Sequence, residues 1–246
     1  QMPEDLAAAI PMALELAAAL RIPALRVDGF EADDIMGTLA ALAEARDMTT
    51  FLVTPDKDVA QLVSRRTFLY RPGKSPERAE ILGTDEVCRY WGLREPARMV
   101  DLLAMAGDSS DNVPGIRGVG EKTARTLLAR YGSLDEVLAR AGELKGKLAE
   151  RVAQGAEMAR LSRKLVTIRR DVPLPVSLDD LERRPPDTEA LRDVLARYEL
   201  LQLGQRLLGG SVREAAAARH ATLADTPHHY VCVAGETDLE GLLSAL

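Results

Sequence analysis

The sequence predicts an α/β fold: a partial parallel sheet with flanking helices, followed by an all-helical region. Three observations predict it. Short apolar runs at residues 24–27 (ALRV), 50–53 (TFLV) and 67–70 (TFLY) alternate with stretches of helical spacing, the pattern of strands joined by helical crossovers. After Gly83 the periodicity is helical throughout. Acid-rich stretches follow directly on the first two strand-like runs, and in parallel sheets ligands sit at the carboxyl ends of the strands.

The elements follow in order. Residues 4–21 (EDLAAAIPMALELAAALR) are Ala/Leu-rich at helical spacing, with Pro11 expected to break or start a helix. The first strand is 24–27. Glu31–Arg46 reads as a helix with Ile35, Met36, Leu39 and Leu42 on one side. The second strand, 50–53, leads into a short helix over Asp56–Val63, and the third strand is 67–70. Thr84–Tyr90 is a helix capped by Thr84. Helices are also expected at Glu95–Met105, Gly120–Tyr131, Leu134–Arg140, Glu143–Thr167 and Thr188–Leu203, with Pro173, Pro175, Pro185 and Pro186 marking extended connections. Residues 209–228 (GGSVREAAAARHATLADTPH) read as a linker. Residues 229–246 read as a strand and helix that open another α/β domain. The expected organisation is therefore 1–83, 84–208, 209–228 and 229–246.

Composition bounds the function. The 246 residues are 46% hydrophobic and only 4% aromatic, so Leu, Ala and Val must fill the core. A formal net charge of -6 argues against a uniformly basic nucleic-acid binder, although local fields can have either sign. Two cysteines, Cys88 and Cys232, are too few for a disulfide framework and suit a reducing cytoplasm. No apolar run approaches the roughly 20 residues that span a bilayer, and the N-terminus does not have the pattern of a signal peptide. The chain begins with Gln1, which suggests a processed end or a piece of something longer.

Three acidic clusters stand out: Glu31-Ala-Asp33-Asp34, Thr54-Pro-Asp56-Lys57-Asp58, and Asp108-Ser-Ser-Asp111-Asn112. Residues 28–58 hold eight acids and two bases, a local charge of -6. Helix capping alone explains one such cluster. Three clusters, two of them at strand ends, are harder to explain that way, and carboxylates brought together repel unless protonated or metal-bound. The residue types point to Mg²⁺ or Mn²⁺, which prefer oxygen ligands. Two such ions about 4 Å apart suit phosphodiester hydrolysis. His220, His228 and His229 lie in or beside the linker and form no zinc pattern. Acid pairs also serve phosphatases and synthases, so the clusters alone leave the substrate open.

Residues 114–124 (PGIRGVGEKTA) have the form of a helix-hairpin-helix turn. Glycines allow positive φ and close backbone approach, and the amides opening the next helix form an anion site. Lys122 and Thr123 add a charge and a hydroxyl. Such a turn grips a DNA backbone without reading bases. Residues 114–170 carry thirteen Lys or Arg and six Asp or Glu, a local charge of +7. The blander reading is a pair of ordinary glycine caps between packed helices.

Taken together, EADD, DKD, GDSSDNVPGIRGVGEKTA and YGSLDEVL resemble the 5′-3′ exonuclease (flap endonuclease) domain of bacterial DNA polymerase I, over residues 1 to about 208. The resemblance implies a PIN-like nuclease core followed by a helix-hairpin-helix (H3TH) subdomain. It implies that Glu31, Asp33, Asp34, Asp56, Asp58, Asp108 and Asp111 hold two divalent ions. Asp33, Asp34, Asp56 and Asp58 would be the catalytic set. Gly115, Arg117, Gly118, Gly120, Lys122 and Thr123 would bind DNA, with K⁺ at the hairpin. The implied partners are double-stranded DNA with a 5′ flap or nick and the remainder of a polymerase I chain. The tail from about 229 resembles the start of that family's 3′-5′ exonuclease domain. Two departures stand out. Pro55 occupies a position where the family has Gly, and the family's first strand, its metal-binding Asp and its basic arch have no counterpart after Gln1. A sheet without its central strand is expected, with one or two metal ligands fewer. Two other readings predict different behaviour: a catalytically weak duplex-binding module, and an unrelated acid-rich hydrolase of small phosphate esters.

Overall fold

The computed structural model describes residues 3–209. The linker and the strand-helix expected beyond residue 209 lie outside the described residues. The described chain packs as two units, residues 25–182 and residues 3–24 with 183–209.

The larger unit is built on a three-stranded sheet. Strand β1 (Thr50–Val53) pairs in parallel with β2 (Thr67–Arg71), with Thr50 opposite Thr67 and Val53 opposite Tyr70. Strand β3 (Glu80–Leu82) then pairs antiparallel with β2. The parallel pair matches the expected second and third strands. The expected first strand, 24–27, is not formed: these residues have no regular structure, are half-buried to exposed, and have no strand partners among the described residues. A β run needs a neighbour for its backbone groups, and local apolar character does not supply one.

Helix α2 (Ala32–Ala45) precedes β1, and a 3-10 turn at Asp58–Leu62 follows it in place of the expected helix. Helix α3 (Thr84–Trp91) is capped by Gly83 rather than by the expected Thr84, which is its first helical residue, and the Gly83 N–H donates to the Glu86 carboxylate at 3.1 Å. Then come α4 (Met99–Ala106), α5 (Glu121–Tyr131), α6 (Leu134–Ala139), α7 (Lys147–Gln154) and α8 (Ala156–Val166). The expected 143–167 helix is split at Gly155, where a Cβ would sit 2.7 Å from the Ile116 side chain. A larger residue there would push the helix pair away from the hairpin. One continuous core joins sheet and helices, from Leu52 and Leu69 through Met99, Leu102 and Met105 to Ile116, Leu134 and Val152. The acid-bearing loops are thus mounted on the same packed body as the hairpin.

In the smaller unit, α1 (Glu4–Ala19) packs on α9 (Thr188–Arg197), and α9 packs in turn on α10 (Leu201–Leu208), around Ala19, Leu191, Val194 and Leu195. Pro11 lies inside α1 rather than ending it. The expected 188–203 helix breaks at Glu199, whose φ is 54°. Arg197 pairs with Glu15 at 2.8 Å, and Asp187 caps α9 through the Ala190 N–H at 3.1 Å.

Candidate functional site

The acidic site begins where β1 ends. Thr54 Oγ1 accepts from the Asp56 N–H (3.1 Å), and Asp56 Oδ1 accepts from the Asp58 N–H (2.9 Å). These two bonds fold the chain back, so Asp58 enters the 3-10 turn as a buried carboxylate. Pro55 has no N–H to offer, and the bonds that shape this turn come from residues 56 and 58.

The second contributor is the loop after α4. Asp108 and Val113 exchange backbone hydrogen bonds of 2.9 and 2.7 Å, which closes the loop between them. Asp108 Oδ1 accepts from the Ser110 N–H (2.7 Å), and Asp108 Oδ2 pairs with Lys57 Nζ (2.6 Å). Carboxylate oxygens of Asp58, Asp108 and Asp111 all lie within 4.8 Å of one another, although the three residues come from two separate loops.

The third contributor is the N-terminus of α2. Asp34 Oδ2 accepts from the Glu31 N–H (3.3 Å), and Asp34 Oδ1 accepts from the Arg169 N–H (2.8 Å). Both of its oxygens therefore hold backbone, which is helix capping plus a tertiary tie. Asp33 carries no such bond. Glu31, Asp33, Asp34, Asp56, Asp58 and Asp111 line one cleft of about 660 Å³, whose other wall is the segment Lys164–Arg169. Asp108 meets the cluster from the Lys57 side.

The electrostatics are those of crowded acids. Burial, then repulsion from Asp56 and Asp108, outweighs Lys57 and pushes the Asp58 carboxyl up to about 7. Asp33 is raised as well, by burial and then by Asp56, Glu31, Asp34 and Asp111. Burial works to raise Asp108 too, but the hydrogen bonds from Lys57 and Ser110 overcome it and hold that carboxyl below its ordinary value. Lys57 is raised in turn, chiefly by its bond to Asp108.

These residues fit a divalent cation. Among the described residues, Asp58 Oδ1 is buried without a hydrogen-bond partner, a costly state for a polar atom. It belongs to a three-carboxylate group of hard oxygen donors, the chemistry such ions select.

The hairpin lies on the same unit. Gly107, Gly115 and Gly118 have φ of 74°, 63° and 78°, a region that disfavours side chains. Gly115 is buried, its N–H donates to Ser162 Oγ at 3.0 Å, and a Cβ there would lie 2.4 Å from the Gly107 nitrogen. Its amide is therefore committed inside the protein and cannot meet a ligand, unlike the sequence expectation for this residue. Gly118 is exposed, and its carbonyl accepts from Arg151 at 3.2 Å. Gly120 caps α5 with open space around it. The first-turn N–H groups of α5 have no intrahelical acceptors. Arg117 and Lys122 are exposed and Thr123 is half-buried.

Two family models match the chain end to end over its first 189 residues. The N-terminal resolvase-like domain of 5′-3′ exonuclease covers residues 1–92, and the 5′-3′ exonuclease C-terminal SAM fold covers residues 94–189. The chain belongs to the 5′-3′ exonuclease family. It is 42% identical over 206 residues to DNA polymerase I of Rhizobium leguminosarum, covering 83% of this chain and 20% of that protein. It is 43% identical over 190 residues to DNA polymerase I of Bacillus caldotenax, covering 77% and 22%. The chain thus spans about a fifth of the length of these curated relatives. Among solved structures, T5 5′-exonuclease with bound divalent metal ions (zinc) matches with a TM-score of 0.56 at 18% identity, over 88% of this chain and 73% of that one. The catalytic core of Rad2 in complex with DNA substrate matches with a TM-score of 0.52 at 16% identity, over 88% and 69%. At these identities the likeness is one of fold.

Within this exonuclease fold, sequence reasoning passed over the residues that hold the site together. Lys57 sits inside the DKD motif yet binds Asp108. Gln61, three residues after Asp58, bonds both to the acid turn and to the end of α8. Ser162 supports the hairpin from α8. Only the short spacing of Gln61 from Asp58 was a signal in the sequence; the partners of Lys57 and Ser162 are distant in it.

Proposed function

We propose that this chain is the 5′-3′ exonuclease region of a DNA polymerase I and hydrolyses phosphodiesters of double-stranded DNA bearing a 5′ flap or nick. One observation carries the reading: buried Asp58, with an oxygen that has no hydrogen-bond partner among the described residues, gathered with Asp108 and Asp111 within 4.8 Å on the body that also presents the hairpin. The preferred cation is Mg²⁺ or Mn²⁺, two of them, with K⁺ at the hairpin.

Each residue has a task. Asp58, Asp108 and Asp111 supply the oxygens of the tightest group, while Asp33 and Asp56 extend the acid surface along the cleft. Bound divalent ions supply a nucleophilic water at neutral pH and charge stabilisation of the leaving oxygen. Lys57 orients Asp108 through its 2.6 Å contact. Asp34 fixes the start of α2 and the segment at Arg169, and Glu31 lies at the cleft rim. Arg117, Lys122, Thr123 and the exposed amides at Gly118 and Gly120 hold the duplex backbone. Buried Gly115 shapes that turn from inside. Because the hairpin and the acids share one core, gripping the duplex sets where along the strand hydrolysis falls. The N–H donors and bases read phosphate rather than base edges, so recognition is of DNA structure and not of sequence.

The test is cleavage of an end-labelled 5′-flap duplex in Mg²⁺ and in Mn²⁺, beside an unflapped duplex of the same sequence. Metal-dependent release of 5′ products by the wild type, abolished in Asp111→Ala, is expected. No cleavage by the wild type in either metal, with DNA still bound, overturns the hydrolytic reading.

A further inference from the structure

The segment that follows α8 is pinned to the acidic site at four points. Gln61 Nε2 donates to the Asp58 carbonyl (3.0 Å) and to the Val166 carbonyl (2.8 Å), while Gln61 Oε1 accepts from the Ile168 N–H (3.0 Å). The Arg169 N–H donates to Asp34 Oδ1 (2.8 Å), and the Val172 N–H donates to Thr38 Oγ1 (3.0 Å). Thr38 in turn donates to the Asp34 carbonyl at 2.8 Å. The segment also lies directly on α2: a Cβ on Gly37 would be 2.7 Å from the Arg169 carbonyl oxygen and 2.9 Å from the Ile168 side chain. Residues 166–172 thus behave as a strap drawn across the two elements that carry Asp33, Asp34 and Asp58.

Gln61 is the knot of this strap. One amide group satisfies three backbone atoms, and two of its partners are more than a hundred residues away in sequence. It binds the residue whose carboxylate has the unpartnered buried oxygen. Metal-binding side chains need such support, because a ligand free to rotate away loses the geometry that an ion rewards.

We propose that Gln61 is a positioning residue: it latches the 166–172 strap to the acid turn and thereby sets the affinity of the acidic cluster for a divalent cation. Gln61 touches neither the ion nor the DNA; it acts through the backbone of Asp58. The inference rests on the divalent-cation reading of the cluster, so its test separates the two.

Mn²⁺ is titrated into the full chain without DNA, and binding is read by water-proton relaxation well below the unfolding temperature. Three chains are compared: wild type, Gln61→Met, which keeps the length and loses the hydrogen bonds, and Gly37→Ala, which lifts the strap from the other side. Both variants should bind Mn²⁺ about 10- to 100-fold more weakly, the range found for losses of outer-shell support. Amide exchange at Ile168 and Arg169 should quicken in both. Duplex affinity in EDTA should stay within about two-fold of wild type. A purely structural Gln61 would lower the unfolding temperature and leave the Mn²⁺ affinity of the folded chain unmoved, and that result overturns the proposal. Wild-type Mn²⁺ affinity in folded Gly37→Ala would overturn the strap even if Gln61→Met does not fold. If the wild type fails to titrate, the metal reading itself falls and takes this one with it.

Discussion

Replacing Asp58 with asparagine should stabilise the metal-free protein and remove most of its response to divalent cation. The carboxyl is raised from 3.8 to about 7, by burial first and by Asp56 and Asp108 next. At 1.36 kcal/mol per pH unit, that shift sets a ceiling of roughly 4 kcal/mol on the destabilisation. A second route gives a similar size, since two unit charges at 4.8 Å, the outer limit for this cluster, repel by about 3.5 kcal/mol at an effective dielectric constant of 20. Lys57 and solvent reduce both figures, so a realised effect of about 1–3 kcal/mol is expected. The sign follows from the folded carboxyl lying above its unfolded value. Its contribution is intact below about pH 4, is lost as pH rises toward about 7, and stays lost above. The advantage of Asp58→Asn over wild type should therefore be near zero at pH 4 and full at pH 8. Urea unfolding in EDTA, read by the fluorescence of Trp91, the chain's single tryptophan and a buried member of the same core, measures the difference. At about 100 times its Kd, Mg²⁺ should restore about 2.7 kcal/mol to wild type and little to the variant. A stability difference that is flat with pH, or a variant less stable than wild type at pH 8, refutes the reasoning.

Other outcomes follow from the same geometry. Lys122→Ala should weaken duplex binding similarly across sequences and reduce the slope of log affinity against log salt by about one; a fluorescence-anisotropy salt series reads it. Ser162→Ala leaves the buried Gly115 N–H without its acceptor and should cost about 1–3 kcal/mol in urea unfolding. Gly115→Ala combines a positive φ with a collision at Gly107 and should cost more than Ser162→Ala in the same assay. Asp108→Asn removes the partner of Lys57. It should reduce stability above pH 4 and lose that effect in acid, the opposite trend to Asp58→Asn, because the Asp108 carboxyl is held low.

The parts of the fold legible in the sequence were those with local causes. Strands 50–53 and 67–70 are apolar β-prone runs, and the α5 start follows from a glycine cap ahead of EKTA. The failures have non-local causes. Residues 24–27 have a strand's composition but no neighbour to pair with among the described residues. β3 is three residues long, too short for any periodicity, and exists because β2 has a free edge. Gly155 divides a periodic helix, and Ile116 occupies the space that a side chain there would need. In the site, acid clustering identified the residues that converge on the cleft. It could not distinguish Asp34, whose oxygens are both taken by backbone, from Asp58, which has one left unpartnered. That distinction depends on Arg169, 135 residues away.

The most direct measurement of the central claim is an order-of-addition experiment on one labelled 5′-flap duplex. The chain is bound in Ca²⁺, excess unlabelled duplex is added, and Mg²⁺ then starts the reaction. The account predicts that wild type cuts in a single turnover. It predicts that Asp111→Ala binds equally well without cutting, and that Lys122→Ala is displaced before it can cut. Wild type that binds the duplex and leaves it intact after Mg²⁺ addition would contradict it.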